Sequence, residues 1–322
     1  MKNVYIIGAG QLGSRHLQAI KLVDEPLDIK VIDPSTEALK VAQERYLSVN
    51  SEELRHKIEF AQKIEIMPSS IEFVIIATNS DVRKNVVQEL MEYSNVRYLL
   101  LEKLLFTRKE DYYTVDRLLS NNGTKAWVNC PMRMMPFYKR IKELFRNRRV
   151  FYHVSGSSFG LITNAIHYID HIAYLSDCYE YRVDTSFLEP VLVPSKRKGF
   201  QELNGTLEVS FENGSRGMLT CYSSGNAPLQ VEIFSDEARC IVRESEGKAW
   251  VSSKEWLWEE VDARIPYQSE MTVEIFNSIY KKGSCPLVTY QDSMKLHLPI
   301  LEALKDYINK YTGKKYDYYP FT

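Results

Sequence analysis

Residues 4–13, VYIIGAGQLG, place an apolar run directly before a Gly-x-Gly-x-x-Gly turn, and Asp33 follows twenty positions after the last glycine. In such a turn Gly8 permits a tight bend, Gly10 lets the backbone approach a pyrophosphate, and Gly13 lets the next helix pack closely on the strand. The amides at the helix start then face the phosphates, with the helix dipole behind them. The segment therefore predicts a dinucleotide-binding βαβ unit.

Composition limits the class of protein. A chain of 322 residues suits two domains, and its net charge of −1 gives no reason to expect nucleic acid or a membrane surface as partner. The sequence has no apolar run long enough for a membrane span, and it begins directly in a predicted strand rather than in a signal peptide. The five cysteines are scattered and form no Cys-x-x-Cys pair, which is typical of reduced thiols in a cytoplasmic protein.

Strands and helices alternate through residues 1–128. Short apolar runs predict strands at 3–7, 28–32, 73–77, 98–101 and 125–128, and helical patterns lie at 11–23, 36–45, 82–93 and 109–121. Right-handed crossovers between these strands give a doubly wound parallel sheet. We expect residues 1–128 to form a dinucleotide-binding Rossmann domain of the α/β class.

The pattern changes in residues 129–322. Helices are predicted at 136–146, 163–175, 271–280 and 291–310, and strands at 150–155, 181–193, 204–211, 217–222, 229–234, 239–242 and 249–252. The sequence Glu-Asn-Gly-Ser at 212–215 indicates a hairpin turn. Consecutive strands with flanking helices predict an α+β domain with a mainly antiparallel open sheet.

Four motifs in order resemble those of the Gfo/Idh/MocA oxidoreductases. They are GAGQLGSRHLQAI at 8–20, ATNS at 77–80, LEKL at 101–104 and AIHYID at 165–170, which is similar to the family's Gly-x-His-x-x-Asp. The resemblance spans nearly the whole chain. It implies a Rossmann domain joined to an open-sheet α/β domain, which agrees with the fold predicted above.

The resemblance implies a bound nicotinamide dinucleotide. The residues expected to bind it are Gly8, Gly10, Gln11, Leu12, Gly13, Asp33, Thr78, Asn79, Glu102 and Lys103. A carboxylate at Asp33 would accept hydrogen bonds from the ribose hydroxyls and repel a 2′-phosphate, so NAD is favoured over NADP.

Two residues are expected to be catalytic. The family's equivalent of Lys103 touches the reacting hydroxyl and the nicotinamide region, where an ammonium would stabilise a developing alkoxide. His167 lies on the polar face of the helix predicted at 163–175, and we expect it to act as general base with Asp170 as an orienting or substrate-binding group. The alternative is a partly buried structural histidine. His167 and His171 have a spacing that could share a metal, but a third ligand is missing, so no metal site is predicted.

Position 163 departs from the family pattern, because many of its dehydrogenases have Asp where this chain has Thr163. A hydroxyl cannot replace a carboxylate as a base near neutral pH. Asn164 or Asp170 could then orient the histidine, or the chemistry could differ. Arg83 likewise replaces the family's histidine after the ATPN turn.

Further polar residues are candidates for substrate binding. Asn129 and Arg133 lie where the two predicted domains meet in sequence, although a salt bridge would explain Arg133 almost as well. Asn164 and Asp170 complete the predicted substrate-binding set. The basic residues between positions 139 and 149 indicate a solvated helix face or, alternatively, a clamp for the phosphates of an activated sugar.

The sequence therefore predicts an NAD-dependent oxidoreductase that acts on a hydroxyl or keto carbon of a sugar or nucleotide-activated sugar, in carbohydrate biosynthesis. Two alternatives stay open. The protein could retain NAD and use reversible oxidation for epimerisation, elimination or glycoside cleavage, or it could be a non-catalytic NAD-binding regulator. The resemblance also implies a homodimer or homotetramer formed through the C-terminal sheet.

Overall fold

The computed structural model describes residues 1–50, 56–63, 68–253 and 257–322, and its contacts divide the chain into two units. The first unit comprises Met1–Phe106, Glu110–Asn129 and Pro266–Tyr290. With numbering along the whole chain, its strands are β1 (Lys2–Ile7), β2 (Leu27–Ile32), β3 (Lys57–Ala61), β4 (Ser70–Ile76), β5 (Asn95–Leu101), β6 (Lys125–Val128) and β17 (Val288–Thr289). Its helices are α1 (Gln11–Ile20), α2 (Thr36–Ser48), α3 (Ser80–Tyr93), α4 (Lys109–Asn122) and α7 (Gln268–Lys282).

The described strands of this unit form one sheet in the order β17-β6-β5-β4-β1-β2-β3. The pairs from β6 to β3 are parallel, and β17 runs antiparallel to β6 at one edge. The apolar runs of β1, β4 and β5 are buried, as expected for strands covered on both faces. The predicted Rossmann fold is confirmed, and β1 and β4 meet where the strand order reverses, which is where such folds bind ligands.

Residues 266–290 belong to the first unit, whereas the sequence placed them in the second domain. Helix α7 packs on this unit, with Phe276 edge-to-face against Phe73 of β4 at 5.4 Å. Strand β17 extends the sheet by pairing with β6. The single predicted boundary between residues 128 and 129 therefore does not describe the contacts, because the chain returns to the first unit after forming most of the second.

The second unit comprises Thr107–Lys109, Cys130–Ile265 and Gln291–Thr322. Its helices are α5 (Pro136–Phe145), α6 (Leu161–Ser176) and α8 (Tyr290–Tyr311), of which the first residue belongs to the first unit. Its strands are β7 (Phe151–Ser157), β8 (Tyr181–Leu188), β9 (Val193–Pro194), β10 (Gln201–Glu202), β11 (Gly205–Phe211), β12 (Arg216–Tyr222), β13 (Gln230–Phe234), β14 (Arg239–Arg243), β15 (Lys248–Ser252) and β16 (Trp258–Asp262).

The main sheet of the second unit has the order β16-β15-β14-β13-β7-β12-β11-β8. Its neighbours pair antiparallel except for β7 and β12, which are parallel. The mainly antiparallel sheet is therefore confirmed, and so is the hairpin at 212–215, where Gly214 adopts a φ of +85°. Helix α6 packs on this sheet, as the close approach of Ile172 to Gly217 of β12 indicates.

Two differences from the predicted strands have local causes. The strand predicted at 181–193 ends at Leu188, because Pro190 has no amide for a ladder hydrogen bond, and β9 starts only at Val193. Edge strands β3 and β16 were missed. Their side chains are largely exposed or half-buried, so neither has the continuous apolar run that indicates a buried strand.

Candidate functional site

The glycines in the turn after β1 differ in whether the fold itself requires them. A Cβ at Gly8, whose φ is +93°, would lie 2.8 Å from backbone atoms of Ala77 and Thr78, and one at Gly13 would lie 1.7 Å from the Gly8 carbonyl oxygen. A Cβ at Gly10 would meet no described atom within 4 Å. The folded chain itself therefore requires Gly8 and Gly13. Gly10 instead leaves open space beside the helix start, which suits the close approach of a phosphate.

The start of α1 supplies hydrogen-bond donors to that space. The first helical bond runs from the Ser14 amide to the Gly10 carbonyl at 3.0 Å, so the amides of Gln11, Leu12 and Gly13 precede the helical ladder. No acidic side chain lies in this first turn. Arg45 of α2, which sequence reasoning missed, donates to the Gln11 side chain at 2.8 Å and adds positive charge beside the turn. These features suit an anion.

Asp33 is held against the same turn. Its Oδ2 accepts from the Ala9 amide at 2.7 Å, and its Oδ1 accepts from the Ser35 amide at 2.8 Å. The side chain is half-buried, so the carboxylate is fixed in orientation while lone pairs remain for hydroxyl donors. A negative group in this position repels a second anion and accepts hydrogen bonds from a diol.

The other predicted cofactor residues and Asn129, which was predicted to bind substrate, come together at the carboxyl edge of the same sheet. Thr78 and Asn79 follow β4, Glu102 and Lys103 follow β5, and Asn129 follows β6. The Thr78 Oγ1 and Asn129 Oδ1 atoms are buried and have no hydrogen-bond partner among the described residues. Since buried polar atoms are normally satisfied, their position at this edge fits a dinucleotide that would supply the partners.

Arg83 fixes two of these edge loops to each other. Its guanidinium is almost fully buried and donates to the carbonyls of Thr78, Leu104 and Leu105, the last at 2.9 Å. The peptide bond between Lys103 and Leu104 is cis. Arg83, which stands where the family has a histidine, therefore links the loop after β4 to the loop after β5.

A buried polar network lies directly before Lys103. His16 Nε2 donates to Glu102 Oε1 at 2.8 Å, and Asn129 Nδ2 donates to the same oxygen at 2.7 Å. The other ring nitrogen of His16 lies 2.8 Å from the Thr272 hydroxyl of α7. Burial by itself would raise the pKa of Glu102, but the hydrogen bonds from His16 and Asn129 and the charges of His16 and Lys103 lower it to about 2. Glu102 is therefore an ionised carboxylate directly before Lys103 in the loop after β5.

Lys103 itself is only 6% exposed. An ammonium retained in such surroundings depends on nearby negative charge, which Glu102 provides through the adjacent position. Sequence reasoning missed His16. His16 lies on the same buried face of α1 as Gly13 and Leu17. A buried imidazole normally has a hydrogen-bond partner, so its position on this face could have indicated a polar partner.

In the second unit, Arg133 and Asp170 bind each other. The guanidinium donates through Nε to Oδ2 at 2.9 Å and through Nη2 to Oδ1 at 2.6 Å, and both side chains are almost completely buried. The salt bridge that the sequence left open for Arg133 is therefore present. Both residues were predicted to contact substrate, and this pairing engages their charged groups within the protein.

Helix α6 presents His167 and His171 in different surroundings. His171 is fully buried, its Nδ1 lies 3.0 Å from the Tyr152 hydroxyl, and burial together with the Arg133 charge lowers its pKa to about 3. His167 is half-buried, one helical turn after Thr163 on the same face. Over residues 1–50, 56–63, 68–253 and 257–322, no group of three His, Cys, Asp or Glu side chains could hold a metal ion.

A carboxylate from another strand holds the first turn of α6. Glu202 of β10 accepts from the amides of Ile162 at 2.8 Å and Thr163 at 3.0 Å, and also from the Thr163 hydroxyl. The Asn164 side chain donates through Nδ2 to the Phe159 carbonyl at 2.6 Å and so closes the turn before the helix. Thr163 thus takes part in anchoring the helix that carries His167. Sequence reasoning missed Glu202, because its partner lies 39 positions away.

Three of the six basic residues between 139 and 149 pair with acids. Lys142 contacts Asp177 at 2.8 Å, Arg146 contacts Glu143 at 2.8 Å, and Arg148 contacts Asp236 at 3.0 Å. These pairs fit the solvated face that the sequence indicated better than a clamp for phosphate.

No helix in the described part of the chain is long and apolar enough to cross a membrane.

The first unit has the fold, the glycine turn and the carboxyl-edge residues of a nicotinamide dinucleotide-binding domain. Residues 2–130 match the model of the family described as "Oxidoreductase family, NAD-binding Rossmann fold". The match covers the Rossmann domain and confirms, for this segment, the resemblance to the Gfo/Idh/MocA oxidoreductases that the motifs indicated. A comparison with curated protein sequences gives no match.

Solved structures of similar fold cover both units. A UDP-N-acetylglucosamine 3-dehydrogenase from Acidithiobacillus ferrooxidans is 15% identical with a TM-score of 0.73, and the match covers 93% of this chain and 95% of that one. An Agrobacterium radiobacter oxidoreductase, in complex with NAD+, L-tartaric acid and magnesium, is 16% identical with a TM-score of 0.72, covering 97% of each chain. The Saccharomyces cerevisiae Gal80p super-repressor mutant is 13% identical with a TM-score of 0.70, covering 96% of each. At these identities the likeness concerns the fold.

Proposed function

We propose that the protein is an NAD-dependent oxidoreductase that transfers hydride between the nicotinamide and a hydroxyl or keto carbon of a sugar or nucleotide-activated sugar. The observation that carries this proposal is the open space at Gly10, which the fold does not require, beside a carboxylate at Asp33 and within a domain of an NAD-binding family. Gly10 and the first amides of α1 would hold the pyrophosphate, and Asp33 would hold the adenosine ribose.

The choice of NAD over NADP rests on Asp33. Both of its carboxylate oxygens are fixed by backbone amides, so the side chain cannot easily turn away from a bound adenosine. A 2′-phosphate there would meet a fixed negative charge, and neither Pro34 nor Ser35 offers a cation to compensate for it. NAD is therefore the proposed cofactor.

Two residues carry the proposed chemistry beside the cofactor. The nicotinamide, when bound, accepts or returns the hydride. Lys103, held by the loop that follows ionised Glu102, would stabilise negative charge on the reacting oxygen of the substrate. His167 would take the hydroxyl proton during oxidation and return it during reduction, as a half-buried imidazole is suited to do.

Turnover by Lys103 variants tests this assignment. We expect Lys103→Ala to lower kcat for the best substrate in a panel of sugars and sugar nucleotides by about 10²–10⁴-fold, whereas Lys40→Ala, at an exposed position of α2, should have no effect. NADH formation at 340 nm is the readout. Product formed with copurified NAD but without net NADH would instead support epimerisation or lyase chemistry.

A non-catalytic regulator is the second candidate. The observation that favours it is Thr163, which stands where many dehydrogenases of this family have an aspartate and whose hydroxyl and amide donate to Glu202. Gal80p, a protein named as a repressor, has a similar fold. NAD binding by calorimetry, together with no conversion of any panel member by either the parent protein or Lys103→Ala, would favour this candidate.

We also propose that the protein forms a homodimer or homotetramer through the sheet of the second unit. Large apolar side chains on the side of the sheet opposite its buried residues are exposed: Phe151 by 47%, Phe187 by 61%, Met218 by 45% and Tyr222 by 48%. Exposed apolar side chains that cluster on one face often mark a protein–protein interaction surface. Light scattering should give a dimer or tetramer mass, and Met218→Asp should reduce it.

A further inference from the structure

The second unit contains a cavity of about 430 Å³ at the start of α6. Thr163 and Asn164 of the first helical turn line one side, and the segment from β9 to β10, with Lys196, Arg197 and Glu202, lines another. This volume lies within the range of small-molecule sites. His167 follows Thr163 by four residues on the same helix face, about 6 Å along the axis, and is not among the residues that line the cavity.

The carboxylate in this cavity is already bound. Glu202 is 6% exposed, and its two oxygens accept from the amides of Ile162 and Thr163 at the N-terminus of α6. A helix N-terminus ordinarily attracts anions, but here an internal anion satisfies its donors. An acidic ligand would therefore need a different set of positive groups within the cavity.

Lys196 and Arg197 provide such groups. Both lie in the loop between β9 and β10, and neither forms an ion pair with a carboxylate of the described residues. The Arg197 guanidinium donates a 3.4 Å hydrogen bond to the Thr322 hydroxyl. The basic residues between 139 and 149 contrast with them, since several of those are matched with acids. Two cations without acidic partners beside hydroxyl and amide groups suit an acidic, hydroxyl-rich ligand.

We propose that this cavity binds an acidic sugar, with its carboxylate or phosphate at Lys196 and Arg197 and its hydroxyls at Asn164 and Asn204. The inference rests on the proposed function only in identifying this ligand with the substrate, since the cavity and its charges lie within the second unit. Glu202 fixes the helix start and keeps it from competing for the acidic group.

Binding measurements on the full chain test the site separately from turnover. The probes are glucose, glucuronate and glucose 1-phosphate, with Kd measured by calorimetry in the presence of saturating NAD. We expect at least one acidic probe to bind about tenfold or more tightly than glucose, and added salt to weaken that binding. Tighter binding of glucuronate or of glucose 1-phosphate identifies the acidic group as a carboxylate or a phosphate. Equal affinity for glucose and both acidic probes would overturn the proposal.

Variants in one loop provide the matched comparison. Lys196→Gln and Arg197→Gln should each weaken the acidic probe by about tenfold and leave glucose binding unchanged. Lys198→Gln, in the same loop but outside the cavity lining, should stay within about twofold of the parent protein. Equal losses at positions 197 and 198 would contradict the site. Binding that follows this pattern without any sugar turnover would uphold the site while rejecting the dehydrogenase function.

Discussion

His16 donates a 2.8 Å hydrogen bond to Glu102 inside the first unit, and both side chains are excluded from solvent. The pair joins the helix after the glycine turn to the loop that carries Lys103. Thr272 of α7 lies 2.8 Å from the other nitrogen of the imidazole. The helix after the glycine turn, the loop of the candidate catalytic lysine and a helix from late in the sequence are therefore connected by one buried network.

Because of this network, the free energy of unfolding should depend on pH. Glu102 has a pKa of about 2 in the folded protein against an ordinary value of 4.5, so the unfolded chain binds its proton first as pH falls. The stabilisation is therefore complete above pH 4.5 and is lost as pH falls from 4.5 towards 2. Its size at neutral pH is about 3 kcal/mol.

Replacing the carboxylate should remove that dependence. We expect Glu102→Gln to lower the free energy of unfolding at pH 7 and to have a smaller effect at pH 3, whereas Glu44→Gln, at an exposed position of α2, should change neither value. Urea denaturation at pH 7, 4 and 3 provides the measurement. A constant difference between Glu102→Gln and the parent protein across these pH values would contradict the ionised assignment.

The glycines of the first turn should separate stability from cofactor affinity. We expect Gly10→Ala to change the free energy of unfolding by less than about 1 kcal/mol, because its Cβ meets no described atom within 4 Å. The same methyl group should reduce NAD affinity about tenfold or more, since it occupies the space proposed for the pyrophosphate. Calorimetric titration gives the NAD dissociation constant, and thermal unfolding of the same preparation gives the change in stability.

Gly13→Ala serves as the contrasting variant. Its Cβ would lie 1.7 Å from the Gly8 carbonyl oxygen, so the helix must shift and stability should fall by several kcal/mol. If Gly10→Ala destabilised the protein as much as Gly13→Ala, the glycine at position 10 would be a requirement of the fold and would no longer point to a ligand.

Asp33 should determine the preference for NAD. In Asp33→Asn the fixed negative charge is lost while a hydrogen-bonding side chain remains, so we expect the ratio of NADP to NAD dissociation constants to fall by about tenfold or more. Asp28→Asn, at a half-buried acid near the start of β2 that contacts Lys57 at 3.9 Å, is the control and should leave the ratio unchanged. Fluorescence titration with both reduced cofactors measures it. An unchanged ratio in Asp33→Asn would place the specificity elsewhere.

The features predicted from sequence are those set by local chemistry. The turn containing Gly8, Gly10 and Gly13 follows from backbone geometry within a few residues, and the buried strands follow from short apolar runs. Edge strands such as β3 and β16 lack that signal. The discontinuous first unit was also beyond reach, because a helical pattern at 271–280 does not reveal which sheet the helix covers.

The site residues that were missed depend on distant partners. His16 and Glu102 are 86 positions apart, and Thr163 and Glu202 are 39 apart, so no local spacing links them. Arg83 looked like a simple departure from a family pattern, and only the structure shows it donating to the carbonyls of two separate loops. Long-range polar pairing is the part of this site that sequence periodicity cannot encode.

Removing one member of the buried pair of Arg133 and Asp170 should lower the free energy of unfolding strongly. Replacing both with apolar side chains should lower it by clearly less than the sum of the two single changes. Asp170→Asn leaves the guanidinium without its charge partner in an almost solvent-free position, so we expect a loss of about 3–5 kcal/mol in the free energy of unfolding. Arg133→Met should cost a similar amount, because it leaves the carboxylate buried alone. The double variant Arg133→Met with Asp170→Leu should lose clearly less than the sum of the single variants, since no unpaired charge remains. Urea denaturation of the four proteins measures the coupling, and additive losses would show that the two side chains act independently.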